Sequence, residues 1–123
     1  MKQILAAILI AVSTMGTAMA AATPEWIWSS ETKEKQALWF RTVITLDKDI
    51  GSAIFSGTGD DQLEVYVNGN RIGRHRAWDS LVTFPIKTQL VKGKNAIGII
   101  GRNGTSSAGV TGRITITYTD GTK

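Results

Sequence analysis

The stretch Arg74-His75-Arg76-Ala77-Trp78-Asp79 gathers an indole, an imidazole, two guanidinium groups and a carboxylate within six residues. An indole face complements the apolar C–H face of a sugar ring, and the polar groups around it supply the directional hydrogen bonds that hydroxyls require. The segment joins two expected strands, so it reaches the surface at one end of the domain. Read this way, Arg74, His75, Arg76, Trp78 and Asp79 form a carbohydrate-binding site. Arg74 and Arg76 favour acidic sugars there, because guanidinium pairs bidentately with carboxylate. The competing reading has Trp78 capping the core beneath the loop while the charges are merely solvated.

Asp60-Asp61, following Gly57-Thr58-Gly59, is the second cluster that carries chemistry. Neighbours on a strand point to opposite faces, so two such carboxylates do not flank one bond as an acid and base pair would; in a loop they can share a cation. Three roles compete: a turn in which the carboxylates bond nearby backbone N–H groups, a structural calcium ion, and a contact from Asp61 to a sugar hydroxyl. No other cofactor is expected. Gly57-Thr58-Gly59 is not a phosphate loop, since neither a strand-to-helix transition nor the required lysine follows it. Asp47-Lys48-Asp49 reads as an ordinary turn. Trp26, Trp28 and Trp39 read as core in a domain this small, with a stacking platform as the rival. Asn103-Gly104-Thr105 matches a glycosylation acceptor, and the Gly- and Ser-rich loop 101–109 adds a candidate binding edge.

Composition narrows the chemistry further. The 123 residues include no Cys and a single His, His75, so neither a disulfide scaffold, a thiolate site nor a histidine cluster for zinc is available. His75 stands between two arginines, with no carboxylate to activate it unless Asp79 folds back onto it, and the chain is read as a non-enzyme. The formal net charge of +4 is too small, and the basic residues too little interleaved with aromatics, to indicate nucleic acid.

The elements that must position these groups are strands. Beyond the first twenty residues no segment carries a helical i, i+3, i+4, i+7 apolar pattern, whereas period-two alternation recurs. Phe40, Ile44 and Leu46 fall on one side of 37–46, with Trp39, Arg41, Val43 and Thr45 on the other. Leu63, Val65 and Val67 alternate with Glu64 and Tyr66, and Asn68-Gly69 then suits both centres of a type I′ turn, so 71–73 should fold back as the partner strand. Val82, Phe84 and Ile86 form a strand in which Pro85 favours an edge. A turn over 89–95 leads into 96–100, and Ile114, Ile116 and Tyr118 alternate with Arg113, Thr115 and Thr117. With strands at 26–28 and 53–56 the total is about eight. The expectation is an all-β, single jelly-roll β-sandwich of about eight antiparallel strands.

The run Asp60-Asp61-Gln62-Leu63-Glu64-Val65-Tyr66-Val67-Asn68-Gly69, then Arg71-Ile72-Gly73, Trp78, Phe84-Pro85-Ile86 and Leu90-Val91-Lys92-Gly93-Lys94-Asn95, resembles the galactose-binding-like jelly-roll domain. That module accompanies the catalytic barrel of β-galactosidases, β-glucuronidases and bacterial α-L-rhamnosidases. Trp26-Ile27-Trp28, Phe40-Arg41, Gly109-Val110 and the closing residues 118–122 are most similar to the rhamnosidase versions. The resemblance covers essentially all of 21–123 and implies an accessory sandwich. It carries over no catalytic carboxylate pair, and Pro85 stands where the family pattern more often has an acidic residue. Modules of this shape include many that only pack against their enzyme.

Lys2, the apolar run 4–12 and Ala18-Met19-Ala20 follow the pattern of a secretory leader, placing a signal peptide at 1–20 and the sandwich at 21–123. The run is too short for a stable anchor, so no membrane contact is expected after cleavage, and the protein is read as secreted or periplasmic. The functional expectation is a secreted, non-catalytic carbohydrate-binding module with a glycan as partner. The alternative is a structural or interaction module, a detached accessory domain whose partner is a glycoside hydrolase or an envelope protein.

Overall fold

β-Branched and aromatic residues at alternate positions turn each long segment into a ribbon with one oily and one wet face. In the computed structural model, which describes residues 2–3, 10–13 and 24–123, such ribbons make up most of the chain. In order they are β1 (Lys2–Gln3), β2 (Ile10–Ser13), β3 (Ala37–Leu46), β4 (Ile50–Asp60), β5 (Gln62–Val67), β6 (Asn70–His75), β7 (Val82–Pro85), β8 (Gly93–Arg102) and β9 (Gly109–Tyr118), with a 3₁₀ turn at Lys87–Gln89. Strands β3 to β9 form two antiparallel sheets, ordered β3-β8-β5-β6 and β9-β4-β7. The short stretches β1 and β2 pair in parallel with β3 and β9, respectively. The rest of the expected leader lies outside the described residues.

Burial follows the alternation. Leu38, Phe40 and Leu46 of β3, Leu63, Val65 and Val67 of β5, and Ile97 and Ile99 of β8 face Ala53 and Phe55 of β4 and Ile114 and Ile116 of β9 across one shared core. Burying each large aliphatic or aromatic side chain contributes about 1.5–3 kcal/mol, and a short strand is stable only because the opposite sheet covers it. Phe55 lies where a side chain of its own strand and one of the neighbouring β9 would otherwise stand. A Cβ at Gly57 would come within 2.7 Å of its ring, as would one at Gly112. β7 is an edge strand whose Pro85 pairs with Ile54, so the missing N–H leaves no gap in the sheet interior.

The β5–β6 hairpin turns at Asn68 and Gly69, with φ values of 49° and 83°, as a type I′ turn requires. Asn68 does more than turn: its side chain donates to the Gln89 carbonyl and to Asn95 Oδ1, and accepts from the Ala96 N–H. Buried Asn95 in turn accepts from the Val91 N–H at 2.8 Å and donates to the carbonyls of Val91 and Gly93. These two asparagines satisfy the backbone of the entry into β8, which a buried connection cannot leave unpaired.

The expected strand at Trp26 to Trp28 is reduced to one bridge, in which Ile27 and Val110 exchange both backbone bonds. The indoles on either side sit over glycines instead: Trp26, half exposed, stands over Gly109, and Trp28 over Gly101, with Trp28 tilted against Phe40 at 5.9 Å. Seven strands therefore build the antiparallel sheets in place of about eight, while the strand expected at 53–56 runs the full length of β4.

Candidate functional site

The cluster singled out in the sequence is divided by the register of β6. Glu64 pairs with Arg74 and Leu63 with His75, so these neighbours point to opposite sides of the sheet. Arg74 joins the outward face beside Glu64. His75 Nε2 lies 2.9 Å from the Ser80 carbonyl and 3.3 Å from Ser80 Oγ, which ties the ring to its own loop. The Thr58 hydroxyl anchors the same loop by donating to the Ala77 carbonyl at 2.6 Å. Arg76 and Asp79 are exposed. Trp78 is 61% exposed and Leu81 68%, so neither caps the core.

Asp61 belongs to a different contact. Its Oδ2 accepts the Gly104 N–H at 2.6 Å and its own N–H donates to the Arg102 carbonyl, clamping the β4–β5 turn to the loop after β8. Burial, followed by the hydrogen bond and charge of Asp61, pushes the Asp60 carboxyl above its ordinary value. Among the described residues no group of three or more His, Cys, Asp or Glu side chains comes together as a metal site. Asn103 is 3% exposed, with Nδ2 donating to the carbonyls of Lys33 and Ser106. That burial is incompatible with glycosylation there, because the acceptor amide has to be reachable from solvent.

The structure assembles a second site on the outward face of the β3-β8-β5-β6 sheet. Cross-strand pairing sets two rows of side chains: Trp39, Ile100, Glu64 and Arg74 in one, and Arg41, Gly98, Tyr66 and Arg71 in the next. Along the central strand β8 the outward residues Ala96 and Gly98 are small, whereas Trp39 and Arg41 on one flank and Tyr66 on the other are large. The difference in height creates a groove of about 580 Å³ running along β8, with Arg102 at one end and Gly69 at the other. Trp39 is 42% exposed beside it and Trp26 52% exposed elsewhere, so these two tryptophans are not the core residues their size suggested; only Trp28 packs against the core.

Glu64 organises the polar part of this face. It is 6% exposed and accepts from Gln62 Nε2 at 3.1 Å and from the Tyr66 hydroxyl at 3.0 Å, while Arg102 Nε sits 3.5 Å from its Oε1. A buried carboxylate persists because all these partners compensate it at once. The hydrogen bond to Glu64, then burial, raises the Tyr66 phenol above its usual value, partly offset by the charges of Arg71 and Arg102. The network fixes the Tyr66 ring and the Arg102 guanidinium in place, so a ligand would meet prepositioned groups. An exposed indole, a fixed phenol, a small-residue floor and fixed polar groups suit a ring that is apolar on its faces and polar at its rim.

From sequence, Arg41, Glu64, Tyr66 and Gly98 belong to no site, Trp39 enters only as the rival stacking-platform reading and Arg102 only within the candidate binding edge 101–109. The signal present was that alternation placed Trp39, Arg41, Glu64 and Tyr66 on outward faces, with residue types richer in chemistry than solvent requires. What was missing was the adjacency, because β3, β8 and β5 are brought side by side by non-local connections.

The sandwich has the fold of the galactose-binding-like accessory domains. It matches an α-L-rhamnosidase from Streptomyces avermitilis, solved in complex with L-rhamnose, with a TM-score of 0.73 at 23% identity over 80% of this chain and 11% of the enzyme. It also matches a lectin from Pleurotus ostreatus, solved in complex with GalNAc, with a TM-score of 0.70 at 26% identity over 99% of this chain and 35% of the lectin. A glycosyl hydrolase family 2 member from Bacteroides cellulosilyticus aligns with a TM-score of 0.55 at 18% identity, over 65% of this chain and 13% of that one. The chain thus spans only a minor part of each neighbour. No protein-family model matches it, and no curated protein matches it in sequence.

Proposed function

We propose that the chain is a secreted, non-catalytic carbohydrate-binding module, and that the β8 groove is where it holds sugar. The observation that carries this reading is the pairing of an exposed Trp39 and a fixed Tyr66 across a floor of Ala96 and Gly98, with Glu64 satisfied beneath. The fold supports it, since two of its neighbours were solved with a sugar bound. The loop 74–79 adds Arg74 to the same face and presents Trp78 at the end of the sandwich. Secretion rests on the leader-like residues 1–20.

Isothermal titration against neutral and acidic oligosaccharides tests the reading. Binding that Trp39→Ala reduces at least about tenfold, an effect of about 1.4 kcal/mol, would support it. A folded protein giving no heat with any glycan would remove it.

A second reading is an interaction module that docks on a glycoside hydrolase or an envelope protein. It is favoured by the prominence of Trp78 and Leu81, two large apolar side chains held out on one anchored loop. Co-purification of a stable protein partner by a chain without glycan affinity, and loss of that partner in Trp78→Ala, would replace the first reading by this one.

A further inference from the structure

We infer that the ligand of the β8 groove is an acidic polysaccharide, a chain of sugar rings bearing carboxylates; this rests on the reading of the groove as a glycan site. The outward face of the β3-β8-β5-β6 sheet is strongly one-signed. Arg41 on β3, Lys94 and Arg102 on β8, and Arg71 and Arg74 on β6 all point outward and are exposed, whereas Glu64 is the single outward carboxylate on these four strands. Glu64 is occupied by Arg102, Gln62 and Tyr66. Among the described residues, Arg41, Arg71, Arg74 and Lys94 have no ion-pair partner.

A sheet face normally intersperses both signs of charge, because like charges on neighbouring strands repel. Here Arg74 lies directly across from Glu64, and Arg71 from Tyr66. The row Arg41, Gly98, Tyr66, Arg71 crosses three inter-strand steps, so the two guanidinium-bearing strands stand roughly 14 Å apart on either side of the aromatic patch. Arg102 lies four residues along β8 from Gly98, roughly 13 Å further on. Cations therefore stand at the rim of the groove on three sides, spaced more widely than one sugar ring and suited to successive acidic residues of a polymer. Arginine supplies four of the five, and its planar fork matches a carboxylate bidentately where an ammonium cannot. The arginines are fixed to strands, in contrast to Arg76, which lies in the loop. The same charge would also attract a nucleic acid strand, with Trp39 and Tyr66 stacking on bases; the leader-like residues 1–20 and the sugar-bound fold neighbours favour the glycan.

Titration of the full chain with polygalacturonate and with its fully methyl-esterified form separates carboxylate recognition from backbone recognition. The acid should bind, its affinity should fall as salt is raised, and the ester should bind at least about tenfold more weakly. Arg41→Gln and Arg71→Gln should each weaken binding of the acid by about tenfold while leaving the melting temperature unchanged, since among the described residues neither side chain has an ion-pair partner whose loss would destabilise the fold. Equal affinity for acid and ester, or arginine variants that bind as the parent does, would overturn the acidic-ligand inference and leave the glycan reading standing. Absence of binding to every saccharide, neutral ones included, would overturn both. A single-stranded oligonucleotide of matched charge that binds more tightly than the polyuronate would overturn the inference in favour of nucleic acid.

Discussion

Gly98→Val separates the groove from the fold that carries it. Gly98 lies in the middle of β8, between Arg41 on one strand and Tyr66 on the other. A Cβ built there meets nothing closer than Tyr66 Cβ at 3.6 Å and the Phe40 carbonyl at 3.9 Å, both ordinary van der Waals contacts. Nothing therefore opposes a Cβ, and glycine costs a strand interior about 0.5–1 kcal/mol relative to alanine, with valine better suited still to a pleated surface. The variant should be as stable as the parent or more stable by about 1 kcal/mol, which raises the melting temperature of a domain this size by roughly 4–8 °C. The two added methyl groups rise from the floor between Trp39, Arg41 and Tyr66, where the ring of a ligand has to rest. Affinity should fall by at least about tenfold, or about 1.4 kcal/mol. Calorimetry supplies both numbers: a thermal scan for stability, and titration with a saccharide that the parent binds for affinity. A lower melting temperature would refute the packing assigned to β8, and an unchanged affinity would refute the groove as the site.

Asn95→Ala should destabilise the domain by about 2–4 kcal/mol, because it strips partners from the Val91 N–H, two carbonyls and the Asn68 amide together. A loss of less than about 1 kcal/mol in the unfolding free energy from urea titration would show that water replaces these bonds freely. Glu64→Ala should bring the Tyr66 phenol down toward its ordinary value of 10.0, since the hydrogen bond to Glu64 is the main cause of its elevation and alanine offers no acceptor. Ultraviolet titration of the phenolate reads this, and an unmoved curve would disconnect the two residues. Thr122, through its hydroxyl and N–H, and Lys48 hold Asp120 down to about 2 against an ordinary 3.8. A depressed folded-state value stabilises above the unfolded one, so the stability gap between parent and Asp120→Asn should be constant above pH 4 and close as pH falls toward 2. A gap that widens with acid would reverse the sign of that coupling. Gly57→Ala should destabilise by about 1–3 kcal/mol or more, since its Cβ would collide with the Thr111 carbonyl and stand 2.7 Å from the Phe55 ring. A melting curve like the parent's would contradict that contact.

Much of the fold was legible because a strand writes its two faces into alternate residues. Phe40 against Trp39, Val65 against Tyr66 and Ile114 against Arg113 each sort correctly from local pattern alone, and Asn68-Gly69 announced its turn through backbone sterics. Trp26 and Trp28 were misread as a strand because a single bridge and a paired strand share the same local pattern, and only their packing over Gly109 and Gly101 distinguishes them. Residue type makes Trp39 a core candidate while its place in the alternation points outward, and at 42% exposure position on the pleat outweighs hydrophobicity.

By itself the sequence determined a two-layer β architecture, its principal hairpin and which side chains face outward, since these depend on interactions between near neighbours along the chain. Only the tertiary structure decided that β3, β8 and β5 lie side by side, that a glycine-floored groove opens between Trp39 and Tyr66, and that four arginines from three strands share one face around a single buried carboxylate. Strand adjacency depends on how residues far apart in sequence cover a common core, and nothing in a local repeat of two records which distant strand will be the neighbour.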